Sequence, residues 1–288
     1  MSRKVFVSGA TGFQGRPIAD GLASKGDQVV TLTRQEVSDN RIKNVAGGFE
    51  NLDAVNQALE GVEIAVFTLP LVFDLEQAQV MAQNFIEAAQ AQNVGLVVFN
   101  SSFDLPLENT GLLALDIKVA VKRLLDDSGL KVITVAPDVY IDNLAAPWSI
   151  PLVLEQGILP YPVKNGQKIP WISHVDLARF VMAALDKPEL AGETLPIGGN
   201  LLSGEEIAEV IAEKIGKPVQ FIGLAPDDFE KNLAPNFGDL AAREISNLYR
   251  YVERNMDRIT SKDFAATQAK LGVAPQPLKD WVDSVNWS

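Results

Sequence analysis

The sequence predicts an α/β protein, with a doubly wound parallel sheet followed by a smaller, mostly helical C-terminal lobe. Three observations carry this. Short apolar runs alternate with helical patterns through the first half of the chain. A glycine-rich turn separates the first such run from the first helical pattern. Beyond residue 136 the alternation stops, prolines cluster from Pro137 to Pro170, and helical stretches take over.

The elements follow in order. Residues 5–8, 29–33, 64–69, 96–100 and 132–136 are apolar almost throughout, as strands buried on both faces are. Between them, residues 14–25, 52–60, 75–92 and 115–128 carry apolar side chains at helical spacing. A short strand is expected at 44–46. Strand–helix alternation of this kind implies parallel strands joined by crossover helices. Further on, helices are expected at 175–185, 204–215, 226–232, 240–253 and 261–271, and one more strand within 192–199. The expected division is a nucleotide-binding domain over residues 1–150 and a substrate lobe over 151–288, with elements crossing between them.

Composition excludes several classes. Of 288 residues 47% are hydrophobic, enough for a large buried core. A net charge of −12 opposes nucleic acid and anionic membrane as partners. No apolar run is long enough to cross a bilayer. Ser2, Arg3 and Lys4 lead directly into the first strand, so no secretion leader is expected and a cytoplasmic location is. With no cysteine, one histidine and scattered carboxylates, no metal site is expected. No nucleophile elbow is present.

The turn reads Gly9-Ala10-Thr11-Gly12-Phe13-Gln14-Gly15. Its setting gives it weight, a buried strand before and an amphipathic helix after. Gly9 permits the tight turn, Gly12 lets the backbone approach a pyrophosphate, and Gly15 lets the helix pack near the strand. First-turn amides and the helix dipole then face the anion. Such a turn is the mark of a Rossmann-type dinucleotide site. Where NAD-binding versions end the second strand on an acid, this chain has Arg34. A guanidinium binds a 2′-phosphate that a carboxylate would repel, so NADP(H) is the expected cofactor. Arg41 and Lys43 follow closely and could add positive potential, while each taken singly reads as a plain solvated charge.

These features, with later segments, resemble the NmrA-like group of atypical short-chain dehydrogenases/reductases. The resemblance is carried by the loop, by Thr33-Arg34, by Ala58-Leu59-Glu60-Gly61-Val62-Glu63, and by Lys118 through Ser128-Gly129-Leu130. It continues in Pro137-Asp138-Val139-Tyr140-Ile141-Asp142-Asn143-Leu144 and in Trp171-Ile172-Ser173-His174-Val175-Asp176, and fades past about residue 220. It implies a Rossmann-type sheet with NADP(H) at the carboxyl ends of the strands. By position it implicates Thr11, Gly12, Phe13, Gln14, Gly15 and Arg34 in cofactor contact, with Leu69, Pro70, Ser101, Lys118, Tyr140 and Asn143. Many relatives carry an acid where Gly48 stands, so only backbone and Phe49 packing contacts are expected near the adenine.

Reductases of the wider superfamily pair a tyrosine with a lysine four residues on. The lysine lowers the tyrosine pKa and holds the nicotinamide ribose, and the tyrosine exchanges a proton with substrate. Here Lys118 is present, as the catalytic candidate, but Ala114 fills the tyrosine position. Two readings stay open. One is an NADPH-dependent reductase of a quinone or similar small carbonyl compound, in which solvent protonates the product. The other is a non-catalytic NADP(H) sensor that reports to a protein partner. An epimerase working by transient hydride transfer ranks below both. Ser101 reads as a cofactor-pocket residue, and His174 as part of a helix start at Ser173 with Asp176 as its capping acid. Asp116 faces outward on a helical reading. Tyr140 is divided between nicotinamide pocket and core, and Tyr161 between a cleft wall and ordinary packing.

Overall fold

The computed structural model describes residues 2–287. The chain runs through β1 (Lys4–Val7), α1 (Gly15–Ser24), β2 (Gln28–Thr33), β3 (Ile42–Ala46), α2 (Leu52–Leu59), β4 (Ile64–Thr68), α3 (Leu75–Ala91), β5 (Leu96–Asn100), α4 (Leu113–Asp127) and β6 (Val132–Pro137). It continues through β7 (Val139–Tyr140), β8 (Ile158–Tyr161), β9 (Ile169–Ile172), α5 (His174–Leu185), β10 (Thr194–Ile197), β11 (Leu201–Leu202), α6 (Gly204–Ile215) and β12 (Gln220–Gly223). The helices α7 (Pro226–Phe237), α8 (Asp239–Arg254), α9 (Met256–Thr260), α10 (Phe264–Leu271) and α11 (Leu278–Ser284) complete it.

Two compact units share these elements, and neither is continuous in sequence. The first comprises residues 1–137, 174–197 and 265–273; the second comprises 138–173, 198–264 and 274–288.

The first unit is built on a sheet of order β10-β6-β5-β4-β1-β2-β3, parallel at every pairing. Val5 at its centre is in register with Val29 on one side and Ile64 on the other. Apolar strands lie here because helices cover both faces, and β5 is buried along its whole length. Phe6, Phe49, Phe67 and Phe85 pack together on one face, with Phe67 and Phe85 stacked at 4.2 Å. Order reverses between β1 and β4, the switch point outside whose carboxyl ends such sheets bind ligands.

In the second unit β9 pairs in parallel with β7 and antiparallel with β11, while β8 and β12 form a parallel pair. Sequence reasoning missed all five of these strands. They are two to four residues long, and Pro160 and Pro170 stand inside two of them. Proline cannot donate to a ladder, so a proline-bearing run reads as irregular. The strand expected within 192–199 is present as β10 and joins the main sheet beside β6. The helix expected at 226–232 runs on to Phe237, past Pro235. The stretch expected as one helix at 261–271 begins only at Phe264. Among the described residues no helix is long and apolar enough to cross a membrane.

Candidate functional site

At the end of β1 the chain turns at Gly9, whose φ of +64° favours glycine. The Gly12 amide donates to the Gly9 carbonyl at 2.8 Å, closing the turn, and the Arg16 amide donates to the Gly12 carbonyl as α1 begins. A Cβ on Gly15 would lie 2.2 Å from the Gly9 carbonyl oxygen, so this close approach excludes any side chain. Thr11, Gly12 and Phe13 are exposed.

Helices α2, α3 and α6 each have a side-chain N-cap and an acid in the first turn. Helix α1 has neither. The Arg16 amide is taken by Gly12 and Pro17 has none, so what α1 offers an anion is chiefly its positive dipole end, with no side-chain cap or acid to offset it. The loop is also tied to neighbouring strand ends. Ser8 Oγ receives the Thr68 amide at 2.5 Å. Asn100 Nδ2 donates to Gln14 Oε1 at 2.8 Å and to Thr68 Oγ1 at 3.3 Å, and Asn100 Oδ1 receives the Ser102 amide. Sequence reasoning missed Asn100; its signal was an amide closing an otherwise apolar strand.

Arg34 follows β2 directly, 69% exposed, with Nη2 2.5 Å from Glu50 Oε1. The guanidinium holds the Glu50 carboxyl below the usual carboxylate range. A Cβ on Gly48 would meet that same carboxylate at 2.4 Å. The Glu50 carboxylate is thus folded back over Gly48. Phe49 is 3% exposed and packs on Phe6 and Phe67, so its ring serves the core and is not offered to a ligand. Any positive potential from Arg41 is offset by paired carboxylates. Arg41 pairs with Asp39 and Asp20, and Arg16 pairs with the same two carboxylates.

On α4, Lys118 Nζ donates to the Ser101 carbonyl at 2.6 Å. Desolvation lowers its ammonium to about 8. Ser101 is buried and turns its hydroxyl to the Phe103 carbonyl at 2.6 Å, so its offering at the site is the carbonyl that seats Lys118. Ala114 is 8% exposed, one turn before Lys118. Asp116 is folded back, accepting from the Thr110 amide and hydroxyl and the Gly111 amide. It holds the entry to α4. Leu69 packs against the core after β4, and Pro70 beyond it is exposed. The His174 ring lies near-parallel to that of Phe13, 6.3 Å away, beside the glycine loop.

Tyr140 and Asn143 belong to the second unit. Tyr140 is 7% exposed in β7, and Asn143 Nδ2 donates to Tyr161 Oη at 2.9 Å. No group of three or more metal-binding side chains is assembled among the described residues.

The NAD(P)H azoreductase of Xenophilus azovorans is 26% identical over 230 residues, 76% of this chain and 77% of that protein. The triphenylmethane reductase of Citrobacter sp. complexed with NADP(H) superposes with a TM-score of 0.80 at 17% identity, covering 98% of this chain and all of that one. The NADPH-dependent quinone oxidoreductase of Escherichia coli complexed with NADPH gives 0.77 at 20% identity, over 97% and 98% of the two chains. These two structures share the fold. A family model described as the NmrA-like family matches residues 1–282, and the chain belongs to that family.

Proposed function

We propose that the protein is an NADPH-dependent oxidoreductase that reduces a quinone or a similar small carbonyl compound. The observation that carries this is the uncapped, acid-free start of α1 behind an exposed Gly12 at the end of the central strand. A dinucleotide fits these residues. Gly12 presents bare backbone, the positive end of the α1 dipole favours a pyrophosphate, and Arg34 stands at the strand end where a 2′-phosphate is read. Leu69, Pro70 and Ser101 are assigned to the same cofactor by position.

When bound, NADPH supplies a hydride. Lys118 is assigned to the nicotinamide ribose. Its ammonium is held by the Ser101 carbonyl and keeps further N–H donors for ribose hydroxyls. Ala114 offers a methyl where a tyrosine would pass a proton, so the reaction must tolerate protonation from elsewhere. Quinone reduction meets that condition, since water can protonate a reduced quinone. The activities for which the azoreductase and the quinone oxidoreductase are named support a reductase.

The test is a cofactor-oxidation assay over a panel of quinones and enals, with NADPH and NADH binding titrated in parallel. Oxidation of NADPH by at least one quinone is expected. Tight NADPH binding without turnover across the panel would overturn the reductase and leave a cofactor-binding protein.

A further inference from the structure

The second unit contains a cavity of about 760 Å³, within the range of small-molecule sites. Trp148 and Phe237 line it, 52% and 42% exposed, their rings perpendicular and 6.1 Å apart. Phe229 and Leu233 of α7 add to the apolar lining. No acidic, basic or histidine side chain lines it. An ionised ligand would therefore lose its hydration there without a countercharge.

Its polar lining comprises Asn143, Ser149, Asn232, Asn236 and a pair of phenols. Tyr161 comes from β8 and Tyr249 from α8, and their hydroxyl oxygens are 2.5 Å apart. Their rings meet edge to face at 5.4 Å, and Phe229 packs on both. Tyr161 is 3% exposed and Tyr249 6%. Burial pushes the Tyr249 phenol up to about 12 and the Tyr161 phenol well above its ordinary value, so both stay protonated at neutral pH.

The hydrogens can be counted. Two phenols carry two, and one bond between them uses one. If Tyr161 donates to Tyr249, the Tyr249 hydrogen is left. If Tyr249 donates, Tyr161 accepts from it and from Asn143, and the Tyr161 hydrogen is left. In both arrangements one phenol O–H donor remains in an uncharged cavity whose lining is mainly apolar.

The geometry points to this cavity as the binding site of a neutral, flat aromatic carbonyl compound whose oxygen accepts the hydrogen left over by the Tyr161–Tyr249 pair. As the seat of a reducible substrate the site rests on the reading above. As a binding site it stands on the second unit alone.

The experiment is calorimetric titration of the full-length, cofactor-free protein with 2-methyl-1,4-naphthoquinone and with 2-methylnaphthalene, which has the rings without the oxygens. The wild type should prefer the quinone by about tenfold, the worth of one buried hydrogen bond. The double variant Tyr161→Phe/Tyr249→Phe should lose that preference while keeping the hydrocarbon. Leu233→Trp, which fills the cavity, should abolish binding of both. Equal affinity for the two ligands in the wild type, or quinone binding that survives Leu233→Trp, overturns the proposal. The wild-type comparison needs no variant, so a variant that fails to fold leaves it decisive. NADPH is titrated separately on the wild type. Quinone binding without NADPH binding or oxidation would sink the reductase reading and spare the site; the reverse pattern would do the opposite.

Discussion

The Glu50 carboxylate reaches back over Gly48 to the Arg34 guanidinium, Oε1 to Nη2 at 2.5 Å. An exposed pair of this kind adds little to stability. Its significance is positional, because it sets an acid against the group proposed to meet a 2′-phosphate. Glu50→Gln should strengthen NADPH binding by about two- to fivefold, the range of a surface ion pair, and leave NADH binding unchanged. Competitive titration of the two cofactors decides it, and a shift of the same size for both would separate Glu50 from the phosphate.

Arg34→Ala should weaken NADPH binding by roughly 1.5–3 kcal/mol, as for a lost charge-assisted hydrogen bond, and NADH binding far less. Equal loss for the two cofactors would remove Arg34 from the 2′-phosphate site.

Gly12 and Gly15 should separate in their effects. A Cβ on Gly12 makes ordinary contact, 3.4 Å from the Gly9 carbonyl oxygen, whereas one on Gly15 collides with backbone at 2.2 Å. Gly15→Ala should lower stability by about 2 kcal/mol or more in urea unfolding, since nothing flexible can yield. Gly12→Ala should fold nearly as well as the wild type yet bind NADPH more weakly. A Gly12→Ala protein with full affinity would show that the pyrophosphate does not lie against this turn.

Lys118 makes the fold sensitive to pH. Burial lowers its folded-state pKa to about 8, below the ~10.4 of an unfolded lysine. Between these values the unfolded chain binds more protons, so this residue's contribution to stability rises with pH. Below about 8 both states are charged and the buried ammonium is a liability. Lys118→Met should therefore gain on the wild type at pH 7, and the gap should close toward pH 10. Thermal unfolding of both proteins at the two pH values tests this, and a gap independent of pH would contradict it.

In the second unit Lys262 Nζ holds Asp138 at 2.8 and 2.9 Å, with 10% and 1% of the two side chains exposed. Lys262→Met takes away the cation facing a buried carboxylate and should cost about 3–5 kcal/mol in urea unfolding. A loss under ~1 kcal/mol would place the pair at the level of an exposed ion pair.

The parallel sheet was legible because both-face burial leaves continuous apolar runs, as in β1, β4 and β5. The glycine loop was legible because each glycine answers a separate steric demand within seven residues. Lys118 was singled out through its resemblance to a family position, yet its seat on the Ser101 carbonyl depends on how β5 ends. Glu50 escaped because a backfolded side chain, two residues beyond Gly48, has no sequence signature. Tyr249 escaped because it lies 88 residues from Tyr161 on an amphipathic helix, where an aromatic at helical spacing reads as core. The second unit's strands escaped because they are short and interrupted by proline.

The chain leaves the main sheet at Pro137 and supplies the strand beside β6 only at Thr194. During synthesis, the intervening segment of the second unit must be translated before that strand exists. Until then β6 has an unpaired ladder on its outer side, the kind of surface that recruits a foreign strand. At ordinary elongation rates this interval lasts on the order of several seconds. The nascent protein is thus most open to mispairing between the emergence of β6 and the arrival of β10, which ends that exposure.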